Sequence, residues 1–135
     1  MEDKVEPASI NLKANYQPVA LYFDEADAVE YLRKDVPCVY RRIDAQLTHA
    51  LDMDTGELIG IRIKGFKNFY LRQIKPIYDK LGGTDDFVSL VAVLERLVEH
   101  IAGDFFDERL KRAYLEALEL AKHDRVQLHD LPRAA

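Results

Sequence analysis

An acidic turn is the first pattern in this chain that could carry chemistry. Asp24, Glu25 and Asp27 lie within four positions of one another. General acid–base catalysis needs carboxylates in contrasting environments, and Mg²⁺ binding needs them to converge. Spacing supplies no further partner for these acids, so a solvated turn that ends a strand is the favoured interpretation. A small enzyme using Asp24 or Asp27 stays an alternative.

Cys38 is the second candidate, as the single cysteine of the chain. Arg33, Lys34, Arg41 and Arg42 lie nearby in sequence, and cations of this kind lower the pKa of a thiol. A nucleophilic cysteine also needs a histidine base placed beside it by the fold, which spacing does not show. A small, partly buried apolar side chain is the favoured interpretation of Cys38.

The remaining oxygen and nitrogen ligands do not form a metal motif. Asp52-x-Asp54-x-Gly56 begins like a calcium loop, but Ile63 occupies the twelfth position, where such a loop needs a bidentate acid. The histidines lack the three- or four-residue spacing of helical metal ligands; they are His49, His100, His123 and His129. The sequence therefore predicts no catalytic, cofactor-binding or metal-binding site.

A segment from 62 to 75 interleaves basic and aromatic residues. Such a mixture can bind single-stranded nucleic acid, with the cations on phosphates and the rings on bases. Phe66, Phe69 and Tyr70 fall at helical spacing, however, which favours docking of a helix onto a sheet. The acidic pI of about 5.4 also argues against nucleic acid. We expect the basic side chains to form a partner surface instead, namely Lys64, Lys67, Arg72 and Lys75.

Composition indicates one globular domain. The chain has 135 residues, of which 48% are hydrophobic and 32% charged, with a net charge of −5. Residues 1–32 carry a balance of −5, residues 33–83 of +4 and residues 84–135 of −4, a mixture that an ordinary surface can neutralise. We expect no membrane span, because no apolar run approaches ~20 residues. The lone cysteine and the absence of a basic, apolar leader predict a cytoplasmic location.

The first half predicts an antiparallel sheet. After a loose arm over 1–17, the region 18–65 contains apolar and β-branched runs at 19–23 and 28–32, joined by the acidic turn. A hairpin pairs Leu47–Leu51 with Leu58–Ile63, and Gly56 fits the left-handed position of a turn with a bulge. Pro37 excludes a regular central strand at 36–40.

The region 66–125 predicts helices. One spans 66–81 and is interrupted at Lys75-Pro76, and after a Gly82-Gly83 hinge a second begins near a Thr84 or Asp85 cap and spans about 86–102. A third follows the Gly103-Asp104 break, over about 106–123, with a buried stripe formed by Leu110, Tyr114, Ala117, Leu118 and Ala121. In the tail 126–135, the residues from Leu128 to Ala135 are expected to fray. The second helix is apolar on nearly three sides and predicts a homo-oligomer; its interface residues would be Phe87, Leu90, Val91, Leu94 and Leu97.

Two short motifs resemble a small bacterial family, domain of unknown function 2283. Residues 21–28, Leu-Tyr-Phe-Asp-Glu-Ala-Asp-Ala, resemble its opening motif with Phe23 in place of the usual tyrosine. Residues 51–63 resemble its Asp-x-Asp-x-Gly close, with Arg62 where an acid is usual. The resemblance covers about a third of the chain and implies a bacterial protein with a small meander sheet. It implies no catalytic residues.

The sequence thus predicts an α+β protein, with a small antiparallel sheet packed against two to three C-terminal helices. The function expected is a non-enzymatic protein-interaction or regulatory module, of which an antitoxin-like protein that masks a partner is one version. The alternatives are a small enzyme using Asp24, Asp27 or Cys38 and a nucleic-acid module built on the segment 62–75.

Overall fold

The protein is an α+β structure in which helices pack on one side of a mixed, mostly antiparallel sheet. The computed structural model describes residues 19–80, 87–104 and 107–133. The predicted arm, the glycine hinge with its cap, and the start of the last helix at 106 lie outside the described residues. The strands are β1 (Val19–Phe23), β2 (Ala28–Leu32), β3 (Cys38–Arg42), β4 (Leu47–Asp52), β5 (Leu58–Lys64), β6 (Phe87–Ser89) and β7 (Gln127–His129). The helices are α1 (Phe66–Phe69), α2 (Lys75–Lys80), α3 (Leu90–Asp104) and α4 (Glu108–Asp124).

The described strands form one seven-stranded sheet in the order β3-β4-β5-β2-β1-β7-β6. Both predicted hairpins are confirmed, because β1 pairs with β2 and β4 with β5, each antiparallel. β7 lies parallel to β1 and antiparallel to β6. A parallel neighbour requires a long connection, and here the chain between β1 and β7 contains the strands β2 to β6 and all four helices.

Two strands of the sheet come from the second half of the chain, which corrects the predicted boundaries. The region 66–125 was expected to be purely helical and the tail after it to fray, yet β6 and β7 lie in these segments. Leu128 is fully buried in the core. Three-residue strands are too short to show an alternating pattern, so their pairing depends on the neighbouring strand.

The β4–β5 hairpin has the predicted left-handed glycine in its turn and a bulge beyond the turn. Gly56 has a φ of 76°, and the register shifts beside Ala50 and Leu51, so that Ile59 of β5 has no partner residue on β4. Gly60 follows at once, and a Cβ at this position would lie 2.2 Å from the carbonyl oxygen of Tyr31. The bulge therefore brings β5 so close to β2 that only glycine fits.

The first helical segment is interrupted where proline predicted it, but by a π-helical turn. This turn spans Tyr70–Ile74 and separates α1 from α2. The N–H of Lys75 bonds to the carbonyl of Tyr70, five residues back. Pro76 has no N–H to continue the α-helical ladder, so a locally widened helix is accommodated just before it.

The second predicted helix begins later than expected, at Leu90. Phe87 belongs instead to β6, opposite His129. The Ser89 hydroxyl accepts a hydrogen bond from the N–H of Val91 at 3.2 Å, which is the capping role that serine commonly plays.

The side chains proposed as an oligomer interface mostly fill the core of the single chain. Leu90, Leu94 and Leu97 are fully buried, and they share one hydrophobic cluster with sheet residues and with α4. Val91 is partly buried and packs against that cluster, whereas Phe87 is 40% exposed on β6. The apolar width of α3 is explained by contacts within the chain, because both the sheet and α4 cover it.

Candidate interaction surface

Asp27 is used as a structural cap. Its carboxylate accepts hydrogen bonds from the Tyr22 hydroxyl and from the N–H of Lys67, both at 2.8 Å. Lys67 lies in the first turn of α1, so Asp27 satisfies a helix N-terminus across 40 residues of sequence. Burial, together with the bond to Asp27, raises the pKa of Tyr22 to about 12. Asp24 and Glu25 are exposed in the turn, and Asp27 itself has a left-handed φ of 49°.

Cys38 does not meet a histidine base in its part of the sheet. It lies on β3 opposite Asp52, and its Sγ is 3.2 Å from the carbonyl oxygen of Val36. His49, the histidine of the neighbouring strand, pairs with Arg41. Odd and even residues of β3 face opposite sides of the sheet, so Cys38 and His49 project from opposite sides. A cysteine–histidine pair is therefore not formed here.

His49 is instead a buried structural histidine. Its Nε2 is 2.9 Å from the carbonyl oxygen of Ala113 on α4. Burial lowers the pKa of His49, and the bond to Ala113 opposes this only in part. The neutral ring thus donates Nε2–H to the helix and joins β4 to α4.

Asp52, the first acid of the β4–β5 turn, stabilises the turn itself. The Asp52 Oδ1 accepts hydrogen bonds from the N–H groups of Asp54 and Thr55, at 2.8 and 3.4 Å. This is the side-chain-to-backbone bonding that makes aspartate a turn residue. Within the described residues no cluster of three or more His, Cys, Asp or Glu side chains could hold a metal ion.

The rings of the basic–aromatic segment face the core. Phe66, Phe69 and Tyr70 are all buried, and Phe66 packs against Tyr22 with ring centroids 5.8 Å apart. Rings in these positions cannot stack on bases, which removes the argument for a nucleic-acid groove at 62–75.

The four basic residues predicted as a partner surface divide between two elements. Lys64 is exposed at the end of β5, opposite Ala28. Lys67, Arg72 and Lys75 lie on the helical segment that follows, where Lys75 forms an ion pair with Asp79 at 3.3 Å. They do not belong to one strand or one helix, and a shared role for them stays a prediction.

A partly buried ion pair and a hydrogen bond attach the end of α4 to β2 and to the residue that follows it. Asp124 accepts two hydrogen bonds from Arg33, at 2.8 and 2.9 Å, and one from the Tyr31 hydroxyl at 2.7 Å. Burial alone would raise the pKa of Asp124, but hydrogen bonds from Arg33, His123 and Tyr31 outweigh it and lower the pKa to about 2. The chain then turns at Arg125, with a φ of 53°, directly into β7.

The side of the sheet opposite the helices forms a different surface, here called the open side. The register places Phe87, His129 and Leu21 side by side on three adjacent strands, and the Phe87 and His129 rings stack with centroids 5.5 Å apart. The row continues into the Glu30–Arg62 ion pair, at 3.0 Å. In the described part of the chain, the open side carries the exposed apolar side chains Leu21, Phe23, Tyr40 and Phe87.

Strand β3 borders the open side and is exposed on both of its faces. Val39 and Tyr40 are each 48% exposed, and Arg41 and Arg42 are exposed as well. The Arg62 guanidinium lies 4.8 Å from the centre of the Tyr40 ring, a cation–π contact that holds the ring on the open side. No described strand lies beyond β3 in the sheet.

Sequence reasoning missed this surface. Pro37 correctly excluded a central strand, since proline is tolerated at sheet edges and strand starts. The β-branched and aromatic pair Val39-Tyr40 next to it was the available signal for an edge strand. The open side could not be predicted in the same way, because it includes β6 and β7, which are too short to be recognised as strands from the sequence.

Comparisons with protein-family models, with curated proteins and with solved structures found no match. The resemblance of residues 21–63 to domain of unknown function 2283 therefore stays a prediction. Among the described helices, none is both long enough and apolar enough to cross a membrane.

Proposed function

We propose that this protein is a non-enzymatic protein-interaction module that binds a partner through the open side and the β3 edge of its sheet. One observation carries the proposal: of the eight exposed large apolar side chains in the described residues, five lie there, namely Leu21, Phe23, Val39, Tyr40 and Phe87. Aromatic residues and arginine are the types enriched where proteins bind each other. The helices support the proposal by filling the core from the other side and holding the sheet in place.

The surroundings of two residues proposed for catalysis support this interpretation. Asp27 caps α1, and Cys38 projects from the opposite side of the sheet to His49. A nucleophile or a general base needs a partner group within hydrogen-bond reach, and these residues do not supply one to each other.

The single cysteine of the sequence supports a reducing compartment such as the cytoplasm as the place of this function. Masking of a partner in the manner of an antitoxin is one form that such binding could take. A homo-oligomer through α3 is not part of the proposal, because Leu90, Leu94 and Leu97 are already buried within the chain.

The test is capture of partners from native lysate by the tagged protein, with and without nuclease. We expect a stoichiometric protein partner that survives nuclease and is lost when Phe23 and Tyr40 are both changed to glutamate. The matched control changes Leu115, which is 40% exposed on α4, and Met53 in the turn to glutamate; it should retain the partner. The proposal fails if the wild-type protein retains no protein, or if nuclease releases whatever it retains.

A further inference from the structure

Strand β3 has a row of backbone groups that point away from the sheet. In the β3–β4 ladder the odd-numbered residues bond to β4, because Met53 donates its N–H to the carbonyl of Pro37 and Ile43 donates to that of Leu47. In an antiparallel pair the bonded positions alternate. The N–H and C=O groups of Cys38, Tyr40 and Arg42 therefore point away from β4, to the side of β3 on which no described strand lies.

The side chains of β3 give this edge a definite chemical character. Tyr40 and Arg42 face the open side, whereas Val39 and Arg41 face the helix side, where Arg41 pairs with His49. Both sides of the strand thus present an apolar residue followed by a cation, and the strand contains no acid. Exposed edges of this kind are templates for an added strand.

A second copy of the chain fits this edge poorly. Antiparallel pairing of two β3 strands about Tyr40 would place Arg41 opposite Val39 of the copy and Arg42 opposite its Cys38. Four arginines would then gather at one interface without a carboxylate from either strand, and like charges across an interface oppose association. An acidic strand from another protein would neutralise the two arginines of β3 and could place apolar residues opposite Val39 and Tyr40.

We propose that β3 binds an extended acidic segment of a partner protein, which adds to the sheet as an antiparallel strand. Two acidic residues of the segment lie opposite Arg42 and Arg41, and two apolar residues follow opposite Tyr40 and Val39. Main-chain hydrogen bonds to Tyr40 and to its neighbours Cys38 and Arg42 provide affinity, and the acidic pair sets the register. This inference rests on the proposed function and names the partner's chemistry.

The probe is a short fluorescent peptide with Glu-Glu-Val-Val at its centre and serine and glycine on both sides. Fluorescence anisotropy with the full chain should show saturable binding that weakens as salt is raised, because exposed charges are screened. A matched peptide with Lys-Lys-Val-Val should bind at least about tenfold more weakly. The double variant Arg41→Glu, Arg42→Glu should reverse this preference.

Backbone pairing is tested separately from charge. A Glu-Glu-Val-Val peptide N-methylated at the amides that face β3 keeps every side chain but loses donors, and it should bind at least about tenfold more weakly. In the protein, Tyr40→Pro removes an outward N–H while the N–H groups of Val39 and Arg41 still bond to β4. Tyr40→Phe, which keeps that N–H, is the control and should bind like the wild type.

The outcomes separate the two proposals. Equal binding of the methylated and unmethylated peptides, or no saturable binding of either acidic peptide, overturns the added strand. If sedimentation shows that the wild type is a dimer and Tyr40→Pro is a monomer, β3 binds a second copy of the chain. That result would also overturn the added strand from a partner protein. If Tyr40→Pro still retains the partner found in the lysate, the protein is an interaction module that does not use the β3 edge. If the wild type retains no protein partner, the proposed function itself is wrong. If Tyr40→Pro fails to fold, the methylated peptide alone decides.

Discussion

At the scale of single residues, the polar side chains that looked chemical mostly hold elements together. Asp27 caps α1, Asp52 forms a turn, His49 donates to α4, and Asp124 binds Arg33. Buried polar groups must find hydrogen-bond partners, so a residue type suited to catalysis is equally suited to fixing a helix or a turn. Two predictions belong to this scale.

Gly60 should not tolerate a side chain. The Cβ of Gly60→Ala would lie 2.2 Å from the carbonyl oxygen of Tyr31, so β2 and β5 must separate, at a cost of about 1–3 kcal/mol. Gly56→Ala is the control: a Cβ there meets nothing within 4 Å, and its positive φ costs about 1 kcal/mol. Urea unfolding measures both, and equal losses of stability would contradict the close approach at Gly60.

Asp124 should make stability depend on pH in the acid range. Its pKa is lowered from 3.8 to about 2 in the folded state, so the folded protein holds this carboxylate charged where the unfolded chain protonates it. The stabilisation is complete above about pH 5 and is lost as the pH falls to about 2, in an amount on the order of 2 kcal/mol. Asp124→Asn lacks this step. The urea midpoints of the two proteins should converge as the pH falls from about 5 to about 2. A constant difference between the midpoints over this range would contradict the role of Asp124.

At the scale of elements, periodicity located the segments and contacts set their limits. The predicted stripe of α4 is confirmed, since Tyr114, Ala117, Leu118 and Ala121 are buried and Leu110 is partly buried against the core. The limits of α3 were wrong at its start, because Ser89 and the pairing of β6 with β7 determine where the helix begins. The apolar residues of β6 continue the helical pattern of α3 in the sequence, although their backbone is extended.

A substitution that creates a cavity tests whether α3 belongs to the core of the single chain. Leu94→Ala should destabilise the protein by about 2–5 kcal/mol, because Leu94 is fully buried in the core of the single chain. Leu115→Ala on α4 is the control, since its side chain is 40% exposed, and should cost less than about 0.5 kcal/mol. Thermal unfolding and sedimentation together decide the matter. A change of oligomeric state with little loss of stability would restore α3 as an interface.

At the scale of the whole molecule, the C-terminal segment completes the sheet. β7 lies between β1 and β6. The Arg33–Asp124 ion pair holds the end of α4 just before β7 begins. Burial of Leu128 between these elements makes the end of the chain part of the core, whereas composition alone indicated a frayed tail.

Removal of β7 should therefore unfold the protein or leave it non-cooperative. A chain that ends at Val126 loses Leu128 from the core and leaves β1 and β6 without their shared neighbour. A chain that ends at Pro132 keeps β7 and serves as the control. Circular dichroism during heating should show a sharp transition for the control only; two equally sharp transitions would mean that β7 is dispensable.

The sequence by itself determined the α+β class, both N-terminal hairpins, the Gly56 turn and the stripe of α4. These features depend on residues within about a dozen positions of each other, where side-chain periodicity and turn chemistry act directly. Only the tertiary structure decided that the apolar side of α3 packs within the chain, that the sheet gains β6 and β7, and that β3 is an edge strand of the described sheet. Each of these depends on contacts between residues far apart in sequence, such as Arg33 with Asp124, and no local pattern records which distant partner will satisfy a strand, a helix or a charge.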